Sequence, residues 1–290
     1  MSIQNAQTVV RPASFFQNLR KVLRENIREY GMFIALFVIM AFFNQFTDGN
    51  FISARNLSNL LNQTGYIAVL AVGMTLVIVI RQIDLSVGFL AGFLGAVAAI
   101  ALSRWGMSVY LVIPMVLIFG LIAGLITAFP VAQLGIPSFV ASLAGWLIYR
   151  GFLQQVTEGT GTIIIKDETF NALGNGFIPD IPGLGGVLEG VHKLTLVLGV
   201  LAIILYIYSA TSRRSKQQAY NFEVMPRDIF ILQLVFVSLL IGWVTWVLAT
   251  YQGLSWTTVI MLLVVGIYHF ITTRTVLGRH IYAVGGNPDA

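Results

Sequence analysis

The chain has 290 residues, of which 57% are hydrophobic and only 10% charged. A soluble domain carries about 25% charged residues, so the composition excludes an ordinary globular fold and predicts an all-α, polytopic membrane protein whose spans satisfy their own backbones. The net charge of +5 does not imply nucleic acid, because a basic excess in such proteins gathers in cytoplasmic loops; the lack of cysteine excludes disulfides and thiolate metal sites.

Residues 1–29 hold Arg11, Arg20, Lys21, Arg24 and Arg28 against Glu25 and Glu29. They read as a cytoplasmic tail, either solvated or lying on the membrane with Phe15, Phe16, Leu19, Val22 and Leu23 toward lipid. No small-residue cleavage pattern follows, so the first apolar run is expected to be retained. The transmembrane domain then covers 30–290. Eight spans are expected: 30–46, 60–80, 85–102, 110–132, 138–153, 194–210, 229–251 and 256–271. Each is near the length a helix needs to cross about 30 Å of hydrocarbon. Between them lie a Gly- and Pro-rich periplasmic loop at 154–193, a basic cytoplasmic loop at 211–228 and a polar cytoplasmic segment at 273–290.

The second and third spans are separated only by Arg81-Gln82-Ile83-Asp84. A charge at the bilayer centre costs at least ~2.5–3.5 kcal/mol, so this pair marks an exit, a wet cavity or a helix break. Charge counting supports a true reversal there. With both termini inside and eight spans, the inside holds twelve of the seventeen Lys and Arg residues. The outside holds Arg55, Arg104, Lys166 and Lys193, and Arg150 sits near a span end, where it can snorkel.

Gly88 with Gly92 and Gly120 with Gly124 are small-residue pairs that let helices approach closely. Asn62, Gln63, Thr64, Thr75, Ser138, Ser142 and Thr245 are polar groups at depth, suited to a neutral hydroxylated solute, though Ser and Thr also bond back to their own helices. No carboxylate lies deep in a span, against a proton-coupled mechanism. No nucleotide-binding, nucleophile or metal-ligand motif is present, so neither enzyme activity nor a cofactor is expected. Asp84 stands where an N-cap would, followed by Ser86 and Gly88; it either caps the third span or polarises a helix start on the transport path.

Several blocks together resemble the permease subunit of bacterial ATP-binding-cassette sugar importers of the ribose/xylose type. They are residues 53–61, Ala71-Val72-Gly73-Met74, Ile83-Asp84-Leu85-Ser86-Val87-Gly88, Ile136-Pro137-Ser138-Phe139-Val140 with Arg150-Gly151, and residues 278–287. Thr47-Asp48-Gly49 and the region of spans six and seven look most like the D-xylose branch. The resemblance implies a multi-pass protein of the bacterial inner membrane that moves a pentose, with D-xylose favoured. Its partners would be a cytoplasmic ATP-binding-cassette ATPase, a periplasmic or lipid-anchored sugar-binding protein and a second permease copy. Expected pathway residues are Asn62, Gln63, Thr64, Asp84, Ser86 and Ser138. Arg279, Tyr282, Gly285, Gly286 and Asn287 would form the segment that docks the ATPase. Gln82 departs from the family, which usually has Gly or Glu there. The family also continues past Ala290 with further spans, which implies a truncated chain. The rival readings are an ion-coupled secondary transporter and a membrane scaffold that passes no solute.

Overall fold

The computed structural model describes residues 27–183, 188–222 and 224–286. Most of the tail at 1–29, with its expected surface helix, and Asn287 lie outside these residues. The described residues are helical with no strand; one isolated bridge joins Phe177 to Ser255. The helices are α1 (Ile27–Phe46), α2 (Ala54–Val79), α3 (Val87–Ser103), α4 (Val109–Leu134), α5 (Ser138–Thr157), α6 (Glu168–Asn175), α7 (Lys193–Ala219), α8 (Arg227–Ala249), α9 (Trp256–Arg274) and α10 (Val276–Gly286).

Every expected span falls on a helix. By length and composition α2, α4, α7, α8 and α9 can cross a membrane, while Gly31–Phe46 and Val87–Ser103 are shorter apolar helices. Three boundaries differ from the sequence expectation. Helix α2 begins at Ala54, ahead of the apolar run. The loop expected at 211–228 is helical as far as Ala219, because Arg213, Arg214, Lys216, Gln217 and Gln218 are good helix formers. Hydropathy marks where lipid ends, not where the helix does. The 154–193 loop contains α6, whose first turn is capped by Asp167 accepting from the Phe170 amide at 2.9 Å.

The chain divides into two compact units, Met1–Ser58 with Pro179–Gly253, and Asn59–Ile178 with Leu254–Ala290. In the first, α1 meets α8 through an edge-to-face pair of Phe37 and Phe236. Helices α7 and α8 pack so closely at Gly199 that a Cβ there would collide with the Thr245 side chain. Helix α7 starts under a polar cap. The His192 ring accepts from the Thr195 amide, and Asp180 accepts from the Leu194 amide at 2.9 Å and lies 3.5 Å from Lys193 Nζ. Partial burial of the Asp180 carboxyl opposes its ionisation. The amides of Leu194, Ile181 and Lys193 and the nearby His192 outweigh this and hold it well below the usual carboxylate range.

In the second unit, α3 and α4 pack around Ala98, Ala101 and Val112, with Phe170 of α6 against them. A Cβ at Gly92 or Gly120 would stand 3.3 Å from the side chain of Leu153 or Leu94, as expected of close approaches, but one at Gly88 or Gly124 would meet nothing. Those two glycines are not packing points within this unit. Across the two units the buried residues include the hydroxylic Ser58, Ser86, Ser142, Thr195, Ser255 and Thr258 beside apolar Ile100, Val112, Ile229 and Leu248, whereas many large apolar side chains face outward, Leu117 being 68% exposed. In water that exposure would forfeit about 25 cal/mol per Å². In lipid it costs nothing, and small residues let helices meet.

Candidate functional site

Helix α2 ends in a backbone motif that explains the break. The Arg81 amide donates to the Ile78 carbonyl at 2.9 Å and the Gln82 amide to the Val77 carbonyl at 3.0 Å. These are the paired bonds of a Schellman stop, with Arg81 in the left-handed position at φ 61°. Glycine is usual there, and a side chain costs roughly 1–2 kcal/mol in that conformation. The Arg81 side chain offsets this by donating from Nη2 to the Gly286 carbonyl at 3.0 Å, across 205 residues of sequence.

That carbonyl closes α10. The Thr275 hydroxyl opens the same helix by accepting from the Gly278 amide at 3.2 Å. Gly278 abuts the carbonyls of Ile271 and Thr272, and Gly285 lies directly against the Val79 carbonyl, so a Cβ at either position would clash with backbone. Glycine is required at 285 for this close approach. The far end of α10 therefore rests on the last turn of α2. Arg279 and Tyr282 point outward, Tyr282 being 54% exposed.

The other side of the break is held by α5. The Ile83 amide donates to Ser138 Oγ at 3.1 Å, and Ser142 Oγ donates to the Ile83 carbonyl at 3.2 Å. Ser142 and Ser86 are both 1% exposed, and a Cβ on Gly145 would stand 3.1 Å from that of Ser86. Asp84 does not cap α3 as its position suggested. Ser86 occupies the cap position with no side-chain capping bond of its own. Asp84 Oδ1 instead accepts from the Ser86 amide at 2.8 Å and the Ser86 hydroxyl at 2.6 Å, an Asx turn one step upstream. Residues 79–86 thus form a hydrogen-bonded knot joined to α5 on one side and α10 on the other.

The six expected pathway residues fall in two places. Asp84, Ser86 and Ser138 belong to the knot. Asn62, Gln63 and Thr64 lie near the opposite end of α2, roughly 25 Å away at about 1.5 Å per residue. Thr64 bonds back to the Leu60 carbonyl at 2.7 Å. Asn62 Oδ1 is buried without a hydrogen-bond partner among the described residues, which leaves an acceptor that a hydroxyl could fill. Gln63 is exposed. Arg150 lies over the Trp146 ring at 5.3 Å and the Phe89 ring at 6.0 Å, a cation–π setting. Sequence reasoning missed the Arg81–Gly286 bond and the grip of Ser142 on Ile83. The serine spacing of four along α5 was the available signal for the second, and no local signal exists for the first.

A cavity of about 630 Å³ between α3, α4 and α5 is walled by Phe93, Phe119, Ile126, Ile148 and Phe152. Its side-chain hydroxyls, Thr127 and Tyr149, are 3.2 Å apart, and each also donates to the Ala123 carbonyl. It offers a sugar little to bond. No group of His, Asp and Glu able to hold a metal occurs among the described residues.

Residues 56–290 match the family model described as branched-chain amino acid transport system / permease component. The xylose transport system permease protein XylH of Haemophilus influenzae is 37% identical over 272 residues, covering 93% of this chain and 68% of its own length. Its Escherichia coli K12 namesake is 34% identical over 265 residues, covering 91% of this chain and 64% of its own length. The ribose import permease protein RbsC of Haemophilus influenzae is 32% identical over 219 residues, 74% of this chain and 67% of its own. The chain thus spans about two thirds of the length of these curated relatives. No solved structure matches it. A helical, outwardly apolar chain that matches the model over this range belongs to the family of transport-system permease components, translocation subunits rather than enzymes.

Proposed function

We propose that the chain is the translocation subunit of an ATP-driven importer that carries a pentose, D-xylose, across the bacterial inner membrane. In this reading it crosses the bilayer eight times, with α10 cytoplasmic. It pairs with a second copy, receives sugar from a binding protein and is driven by a separate ATPase seated on α10. Similarity to xylose and ribose permeases over 74–93% of the chain supports the substrate class.

One observation carries the mechanism. The end of α10 is latched to the end of α2 through Gly285 against Val79 and Arg81 on the Gly286 carbonyl. A push on α10 reaches the break directly, and the break is bonded to the start of α5. Two helices that would flank a solute path then move with one short cytoplasmic helix. Such a switch needs different contacts in its two states, and the latch is a contact that can be made or broken. The neutral hydrogen-bonding groups Asn62, Gln63 and Thr64 at the far end of α2 are the proposed periplasmic entry contacts; Asp84, Ser86 and Ser138 are the cytoplasmic exit contacts.

The test is D-xylose uptake into proteoliposomes holding this permease, its ATPase and its binding protein. Uptake is expected to require internal ATP and to survive a protonophore. Uptake driven by a proton or sodium gradient without ATP would replace this reading with ion coupling. ATPase binding with no solute movement would leave a scaffold.

A further inference from the structure

The basic extension of α7 borders a second cavity, away from the break at 79–86. Arg213 is 20 residues beyond Lys193, the first residue of α7, about 30 Å along the axis at ~1.5 Å per residue. That equals the hydrocarbon thickness, so Arg213 reaches the headgroup layer on the side opposite Lys193. Tyr206, Ser209, Arg213 and Gln217 recur at spacings of three and four and line one face of a cavity of about 280 Å³. Phe230 and Gln233 of α8 line the other face, and Met225 also borders it. No carboxylate among the described residues lines it.

Its two guanidinium groups are held differently. Arg214 is fixed: Nη1 donates to the Met225 carbonyl at 2.6 Å, and its Cζ sits 4.6 Å from the Phe230 ring centroid. Arg213 has no hydrogen-bond or ion-pair partner among the described residues and lies exposed at the cavity mouth. A pre-set guanidinium beside a free one, with Gln amides and Ser and Tyr hydroxyls alongside, suits an oxyanion, which arginine binds bidentately. At headgroup depth the abundant oxyanion is a lipid phosphate, concentrated on the cytoplasmic leaflet by anionic lipids.

We propose that the Arg213–Arg214 cavity between the ends of α7 and α8 binds the phosphate of an anionic membrane lipid, with Tyr206 and Ser209 toward its glycerol. The inference rests on the proposed topology, in which α7 and α8 cross a bilayer with Arg213 at its cytoplasmic face, and on nothing about the transported solute. Binding is therefore read directly and not through uptake.

Purified protein in neutral detergent is titrated with phosphatidylglycerol, phosphatidylcholine or inorganic phosphate, and bound lipid is counted by native mass spectrometry. Saturable binding of phosphatidylglycerol is expected. Arg213→Gln should weaken it by about tenfold or more, the loss of one charge-assisted bond of about 1.4 kcal/mol. Arg213→Lys should keep part of it. Lys216→Gln, which removes a charge outside the cavity, should leave it within about twofold, since exposed charges in water contribute little. Equal binding of phosphatidylcholine or of inorganic phosphate would overturn the proposal. So would equal losses in Arg213→Gln and Lys216→Gln, which would reduce the effect to general surface charge. Thermal unfolding in phosphatidylcholine alone checks that each variant is folded; if Arg213→Gln is not, the Arg213→Lys and Lys216→Gln pair decides.

Discussion

At Arg81 a cost and a gain meet and nearly cancel. Its backbone is in a conformation that favours glycine, and its side chain provides the bond to Gly286. Arg81→Gly removes both. The expected stability change is within about 1 kcal/mol, because relief of roughly 1–2 kcal/mol of strain offsets one lost hydrogen bond. Uptake should nevertheless fall while ATP hydrolysis continues. Thermal unfolding and coupled uptake measured together check this, and a variant that transports normally would remove Arg81 from the latch. Gly285→Val goes further, since its Cβ would strike the Val79 carbonyl; the protein should still insert, with uptake per ATP hydrolysed down about tenfold, equivalent to ~1.4 kcal/mol of lost coupling. Undiminished uptake would contradict a role for this contact. Asp180 makes a pH prediction. Its carboxyl is held below the ordinary value of 3.8, so its contribution is whole above that pH and is lost as the pH falls through the folded value. The stability difference between wild type and Asp180→Asn should be constant from neutral pH to about 5 and shrink only below about 4. A difference that vanishes between pH 5 and 7 would point to a different titrating group.

Among the elements, the knot at 79–86 was half legible in the sequence. Two charges between apolar runs announced a break, and the Asp84–Ser86 pair announced polar turn chemistry. The assignment of Asp84 as a helix cap failed because Ser86 takes that position and Asp84 serves Ser86 instead. Asp84→Ala removes both of those bonds and should lower stability by about 1–3 kcal/mol, read as lower folded yield in detergent. Normal yield with lost uptake would make Asp84 a pathway group in the strict sense. Helix ends were the least legible feature. Apolar runs located the helices, but α7 continues through Arg213, Lys216 and Gln218, where helix propensity replaces lipid as the reason to stay helical. Helix α6 is only 8 residues long and mixed in character, too short for periodicity to register.

Over the whole molecule, membrane class followed from composition because a lipid solvent reverses the ordinary burial pattern. The outward apolar residues and buried serines agree with that reversal. Family membership was legible because the matching blocks are spread along the chain. The latch was not, because Arg81 and Gly286 are brought together only by folding. The account as a whole rests on α10 facing the cytoplasm, where an ATPase can reach it. The chain has no cysteine, so Tyr282→Cys introduces a unique thiol on the exposed face of α10. Labelling it with a membrane-impermeant maleimide in vesicles of known orientation is the most direct test. The thiol should react in inside-out vesicles and stay protected in right-side-out ones; reaction only from the periplasmic side would contradict the account.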